Sequence, residues 1–136
     1  MSQMMNIYSI DNKLDVSWYP GIRTVLESWK DFSVDLEEFR KAVFVKGINH
    51  AKASQGKAWI HDSHGVAGGY PADVQEMVDR DRFAALGWTG AQFFITINPA
   101  ATEVKITQAG SDATRGVALV EAPSVDAAVA WVKEQP

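Results

Sequence analysis

The stretch Lys57–Pro71, KAWIHDSHGVAGGYP, decides how the rest of the chain is read. Its opening, Lys57–Asp62, is a short apolar run of strand length, expected in the interior of a sheet. The run ends in a polar cluster, His61-Asp62-Ser63-His64. Gly65–Tyr70 reads as a loop. Pro71 suits the first position of a helix, where its missing N–H would lack a partner in any case.

Upstream, Leu14, Val16 and Trp18 alternate with Asp15 and Ser17, the period of a strand. Pro20-Gly21 is a turn signal, so Lys13–Tyr19 is expected to pair with Ile22–Lys30 as a β-hairpin. Asn6–Ile10 is a candidate edge strand with Asp11-Asn12 as its turn. Asp35 and Glu38 then have capping-box spacing, with Val34 and Phe39 placed as a hydrophobic staple. Leu36, Phe39, Val43, Phe44, Ile48 and Ala51 fall on one helical face, and Ser54-Gln55-Gly56 ends the helix. Gly47 inside it points to a close approach of helix to sheet, because glycine there costs up to ~1 kcal/mol against alanine.

Downstream of Pro71, Val74, Met77, Val78 and Ala85 keep helical spacing to about Leu86, with Gly87 as the expected stop. Asp79-Arg80-Asp81-Arg82 reads as part of a solvated charged face. Ala91–Ile97 is a strand ended by Asn98-Pro99. Thr102–Gly110 fits either a strand or a helix. Val117–Glu121 is a short strand, and Ser124 caps a last helix carrying Val125, Ala128, Val129 and Val132. The sum is a single α/β domain over residues 1–136. It has a four- to five-stranded mixed sheet that begins with a β-hairpin, and α-helices packed mainly on one face.

Composition narrows function more than it names it. With no cysteine, thiolate nucleophiles, disulfides and cysteine-ligated zinc are excluded. The formal charge of −4, with basic residues scattered, disfavours a nucleic-acid partner. No run approaches the ~20 apolar residues of a membrane span, and MSQMMNIYSI lacks the basic and apolar regions of a secretory signal, so a cytoplasmic location is expected.

Four segments, LDVSWYPGIRTVLESWKDFSVDLEEFRKAV, KAWIHDSHGV, AALGWTGAQFFITINP and SVDAAVAWV, together resemble bacterial STAS/SpoIIAA-like proteins. The resemblance runs from about Asn6 to Val132. Its anchors are Trp29, Asp62 and Ala130-Trp131. It implies a mixed sheet with helices mainly on one face, and a non-enzymatic domain that binds a protein partner or a second copy of itself. It also implies a phospho-switch serine at the start of the helix after the central strand. That helix opens here at Tyr70-Pro71-Ala72 without a serine or threonine, and Ser63 stands too early, so the switch is not carried over.

The residues support two further readings. Trp29, Trp59, Tyr70 and Phe94 could line a pocket beside the sheet for an apolar small molecule or lipid. His61, Asp62 and His64, with Ser63 or the distant His50, could form a hydrolytic or metal-dependent site. Against it stand the lack of an HExxH motif and of a G-x-S-x-G elbow, so no catalytic residue, metal or cofactor is assigned. Gly65–Gly69 lacks the lysine and spacing of a phosphate-binding loop. The candidate ligand- or partner-binding residues are therefore Trp29, Trp59, His61, Asp62, His64 and Tyr70.

Overall fold

In the computed structural model, which describes residues 3–136, the apolar run Ala58–Asp62 is the middle of a seven-stranded mixed sheet. The strands are β1 (Met5–Ile10), β2 (Leu14–Tyr19), β3 (Thr24–Trp29), β4 (Ala58–Asp62), β5 (Phe93–Ile97), β6 (Lys105–Gln108) and β7 (Ala118–Ala122). Their spatial order is β1-β2-β3-β4-β5-β7-β6. The β1-β2-β3 meander is antiparallel; β3, β4, β5 and β7 run parallel; β6 returns antiparallel to β7.

Seven strands replace the expected four to five. The additional ones are edges. β1 confirms the candidate strand at Asn6–Ile10, and its turn holds Asn12 in the left-handed region at φ 62°. β6 settles the ambiguous Thr102–Gly110 segment as a strand whose four residues are all exposed. Its ladder with β7, rather than burial of its side chains, holds it in place, so hydrophobic periodicity carried little signal there.

The first helix, α1, winds through three consecutive segments: α-helical Leu36–Phe39, π-helical Arg40–Ile48 and α-helical Asn49–Ala53. Its capping box is formed as expected: the Asp35 carboxylate accepts from the Glu38 N–H at 2.8 Å, and the Glu38 carboxylate accepts from the Asp35 N–H. The π winding suits the buried pairs Ala42/Gly47 and Val43/Ile48, each five positions apart. Gly47 meets the sheet as anticipated. A Cβ there would stand 2.8 Å from Trp59 Cη2 and 3.4 Å from Val16 Cγ1.

The second helix, α2, spans Ala72–Thr89, and Pro71 stands one place earlier than expected, as the extended residue before the first turn. Gly87 does not end it. The helix runs on to Gly90, which takes the left-handed C-cap conformation at φ 84°. Gly87 is instead a packing glycine, with Arg115 Cβ only 2.6 Å from where its own Cβ would lie. The third helix, α3 (Val125–Lys133), is capped by the Ser124 hydroxyl, which accepts from the Ala127 N–H at 3.1 Å.

Helices cover both faces of the sheet. On one, α1 and α2 pack over Leu14, Val16, Trp18, Val25, Trp29 and Trp59. On the other, α3 packs over Leu26, Ile60, Phe93, Ile95 and Val120. Burial on both faces explains why β3, β4 and β5 read as nearly continuous apolar runs.

Candidate ligand-binding cleft

The interruption in one of those runs builds the site. In β3, TVLESW, Glu27 is the charged residue, and it lies on the same face as Val25 and Trp29 because alternate residues share a face. The sheet register then sets Val16, Glu27, His61 and Thr96 side by side on β2, β3, β4 and β5. The adjacent row on that face is Trp18, Val25, Trp59 and Phe94. Glu27 therefore sits beneath α1 and α2, with its side chain wholly out of water.

Five donors surround its carboxylate. Oε1 accepts from Trp59 Nε1 at 2.8 Å and from Arg82 Nη1 at 2.9 Å. Oε2 accepts from Trp29 Nε1 at 2.6 Å, His61 Nδ1 at 3.2 Å and the Tyr70 hydroxyl at 3.3 Å. Arg82, whose side chain is 5% exposed, also donates from Nη2 to the Tyr70 oxygen at 3.3 Å, and its guanidinium lies 5.1 Å from the Phe94 ring centroid. An unpaired ion in such a place would be costly; here charge and hydrogen bonds are matched. Burial alone would push the Glu27 carboxyl up, but Arg82, His61 and the Trp29 hydrogen bond outweigh it and hold the group well below the usual carboxylate range. Burial and the neighbouring Glu27 carboxylate push the Tyr70 hydroxyl up, so it remains a neutral donor.

Above this network opens a cleft of about 410 Å³ between α2 and the sheet. Val78, Phe83 and Phe94 give it apolar walls. His61, Tyr70 and Arg82 bring the network to it, and Thr96 and Asp79 complete the lining. His61 and Thr96 stand toward the carboxyl ends of parallel strands, the end at which open α/β sheets bind ligands.

The expected site residues divide three ways. His61 and Tyr70 line the cleft, as does Phe94. Trp29 and Trp59 do not. Both are buried, and their indole N–H groups hold Glu27 in place. Asp62 and His64 form a separate pair at the strand end: His64 is 55% exposed, its Nδ1 lies 2.5 Å from Asp62 Oδ1, and its N–H donates to the same oxygen at 3.2 Å. The two histidines thus engage different carboxylates and share no cleft lining. His50 packs edge-on against Trp18. Among the described residues no group of three or more His, Cys, Asp or Glu side chains could hold a metal ion.

Glu27 and Arg82 are the residues of the network that reading the sequence missed, and Arg82 is a correction, since it belongs to the core and not to a solvated face. Two signals pointed to them. Glu27 interrupts an apolar strand, and Arg82 continues the Val74, Val78 stripe at four-residue spacing. Arg80 and Asp81 pair with each other at the surface, as a charged face should.

No family model, curated protein or solved structure matches the chain.

Proposed function

We propose that the chain is a small-molecule-binding domain whose ligand sits between α2 and the carboxyl ends of β4 and β5. The single observation that carries this reading is the 410 Å³ cleft with apolar walls and a polar floor fixed around the hydrogen-bonded Glu27 carboxylate. A volume of that size falls in the range of small-molecule sites. A floor fixed by the Glu27 network is pre-organised, which lowers the ordering cost of binding. In this reading His61 and Tyr70 contact the ligand, while Trp29, Trp59 and Arg82 hold them in position through Glu27.

The expected STAS/SpoIIAA-like role, binding a protein partner through the loop before α2 and the helix itself, rests on the sequence resemblance; the cleft rests on the packing of α2 against the sheet. Among the described residues no helix is long and apolar enough to cross a membrane.

The test is a small-aromatic panel followed by amide and side-chain NMR, set beside native mass spectrometry of protein purified from its own host. Shifts confined to His61, Tyr70, Phe83 and Phe94, lost in Thr96→Trp, are expected. Thr96 is exposed, so a tryptophan there fills the cleft without disturbing the core. No response from any compound at millimolar concentration, and no retained small molecule, would overturn the reading.

A further inference from the structure

The proton inventory of the network specifies what the cleft recognises. Glu27 is ionised and can only accept, so the His61 ring nitrogen facing it, Nδ1, carries the proton. In the neutral imidazole the second nitrogen, Nε2, is then a bare acceptor. His61 lines the cleft with 14% of its side chain exposed, and only Nδ1 faces Glu27. The one proton of the Tyr70 hydroxyl is already engaged, and the Arg82 charge is matched by Glu27. The Tyr70 hydroxyl donates to Glu27, and Arg82 gives Nη1 to Glu27 and Nη2 to Tyr70. The remaining guanidinium nitrogen of Arg82, Nε, is buried and out of a ligand's reach.

Charge points the same way. Glu27 and Arg82 cancel each other inside, and the charged group at the cleft rim is the Asp79 carboxylate. An anionic ligand would meet that carboxylate, while the charge of Arg82, the cation of the lining, is already matched by Glu27. Tyr70, Phe83 and Phe94 offer ring faces and edges to a flat apolar body.

Building on the cleft reading, we infer that the site binds a neutral hydroxylated aromatic compound, its ring against the T-shaped pair Phe83 and Phe94 and its hydroxyl donating a hydrogen bond to His61 Nε2. The probes are 4-propylphenol, 4-propylanisole and 4-propylbenzoate, which share a body and differ in the polar group. They are titrated under mildly alkaline conditions by calorimetry, while ¹⁵N NMR follows His61. The phenol is expected to bind roughly three- to tenfold more tightly than the anisole, the worth of one hydrogen bond. It is also expected to shift the Nε2 resonance, which the anisole leaves unmoved. In His61→Phe the preference disappears, and the wild-type Nε2 shift keeps the test independent of how well that variant folds. Equal binding of phenol and anisole would overturn the inference and leave the cleft reading standing. Tightest binding of the benzoate would do the same. Failure of all three probes to bind would overturn the inference, and the cleft reading would then stand or fall on the wider panel and the mass spectrometry.

Discussion

Glu27 and Arg82, 55 positions apart, meet at 2.9 Å with both side chains out of water, one at the middle of a strand and the other on the buried stripe of a helix. Removing one partner strands the other. Glu27→Gln and Arg82→Met are each expected to cost about 3–5 kcal/mol, the usual penalty for an uncompensated buried charge. The double variant should recover a substantial part of that, since the leftover charge is gone. A double-mutant cycle by chemical denaturation measures the coupling, and additive losses would contradict the pairing.

The same network predicts how stability depends on pH. Glu27 is held well below its unfolded value of about 4.5. Its contribution is therefore complete above that value and falls as acid protonates the unfolded chain first, with a limiting slope of about 1.4 kcal/mol per pH unit. Tyr70 is held above its unfolded value of about 10, so its contribution is complete below that value and falls at higher pH. Denaturation across the pH range should show both limbs. Glu27→Gln removes its acid limb and weakens the alkaline one, because the Glu27 carboxylate helps hold Tyr70 up, whereas Tyr70→Phe removes the alkaline limb.

Gly47→Ala tests the approach of α1 to the sheet. The added Cβ would lie 2.8 Å from Trp59 Cη2, and Trp59 cannot retreat while its indole N–H holds Glu27. Overpacking of about 1–3 kcal/mol is expected, despite alanine's better helix propensity. A neutral or stabilising result would mean that α1 stands further from β4.

His64→Ala separates the two histidines. His64 is exposed and bonds Asp62 at the strand end, so its loss should cost less than about 1 kcal/mol and leave cleft binding unchanged. Loss of ligand binding in this variant would show that His61 and His64 act together after all.

Much of the fold is local and therefore legible in the sequence. The hairpin, the capping box at Asp35 and Glu38, the Ser124 cap and the apolar strand Ala58–Asp62 follow from short-range pattern and turn chemistry. Even the helix-to-sheet contact at Gly47 announced itself, because a glycine inside a helix needs a reason. The end of α2 was misplaced because Gly87 and Gly90 look alike in sequence; only backbone geometry and the neighbouring Arg115 distinguish a cap from a packing site. The fully exposed edge strand β6 lacked a burial pattern altogether.

The sequence by itself determined the α/β alternation and the location of β4 in the interior, and it singled out His61 and Tyr70, which line the cleft. Tertiary structure decided what those residues face. Parallel pairing sets Glu27 beside His61 across a gap of 34 positions, and α2 returns Arg82 to both. Such register is fixed by long-range packing, to which periodicity within any one segment is blind. The polar cluster Asp62-Ser63-His64 that dominates the sequence is the cap of a turn, while the polar centre is assembled from residues on β3, β4, α2 and the loop before α2.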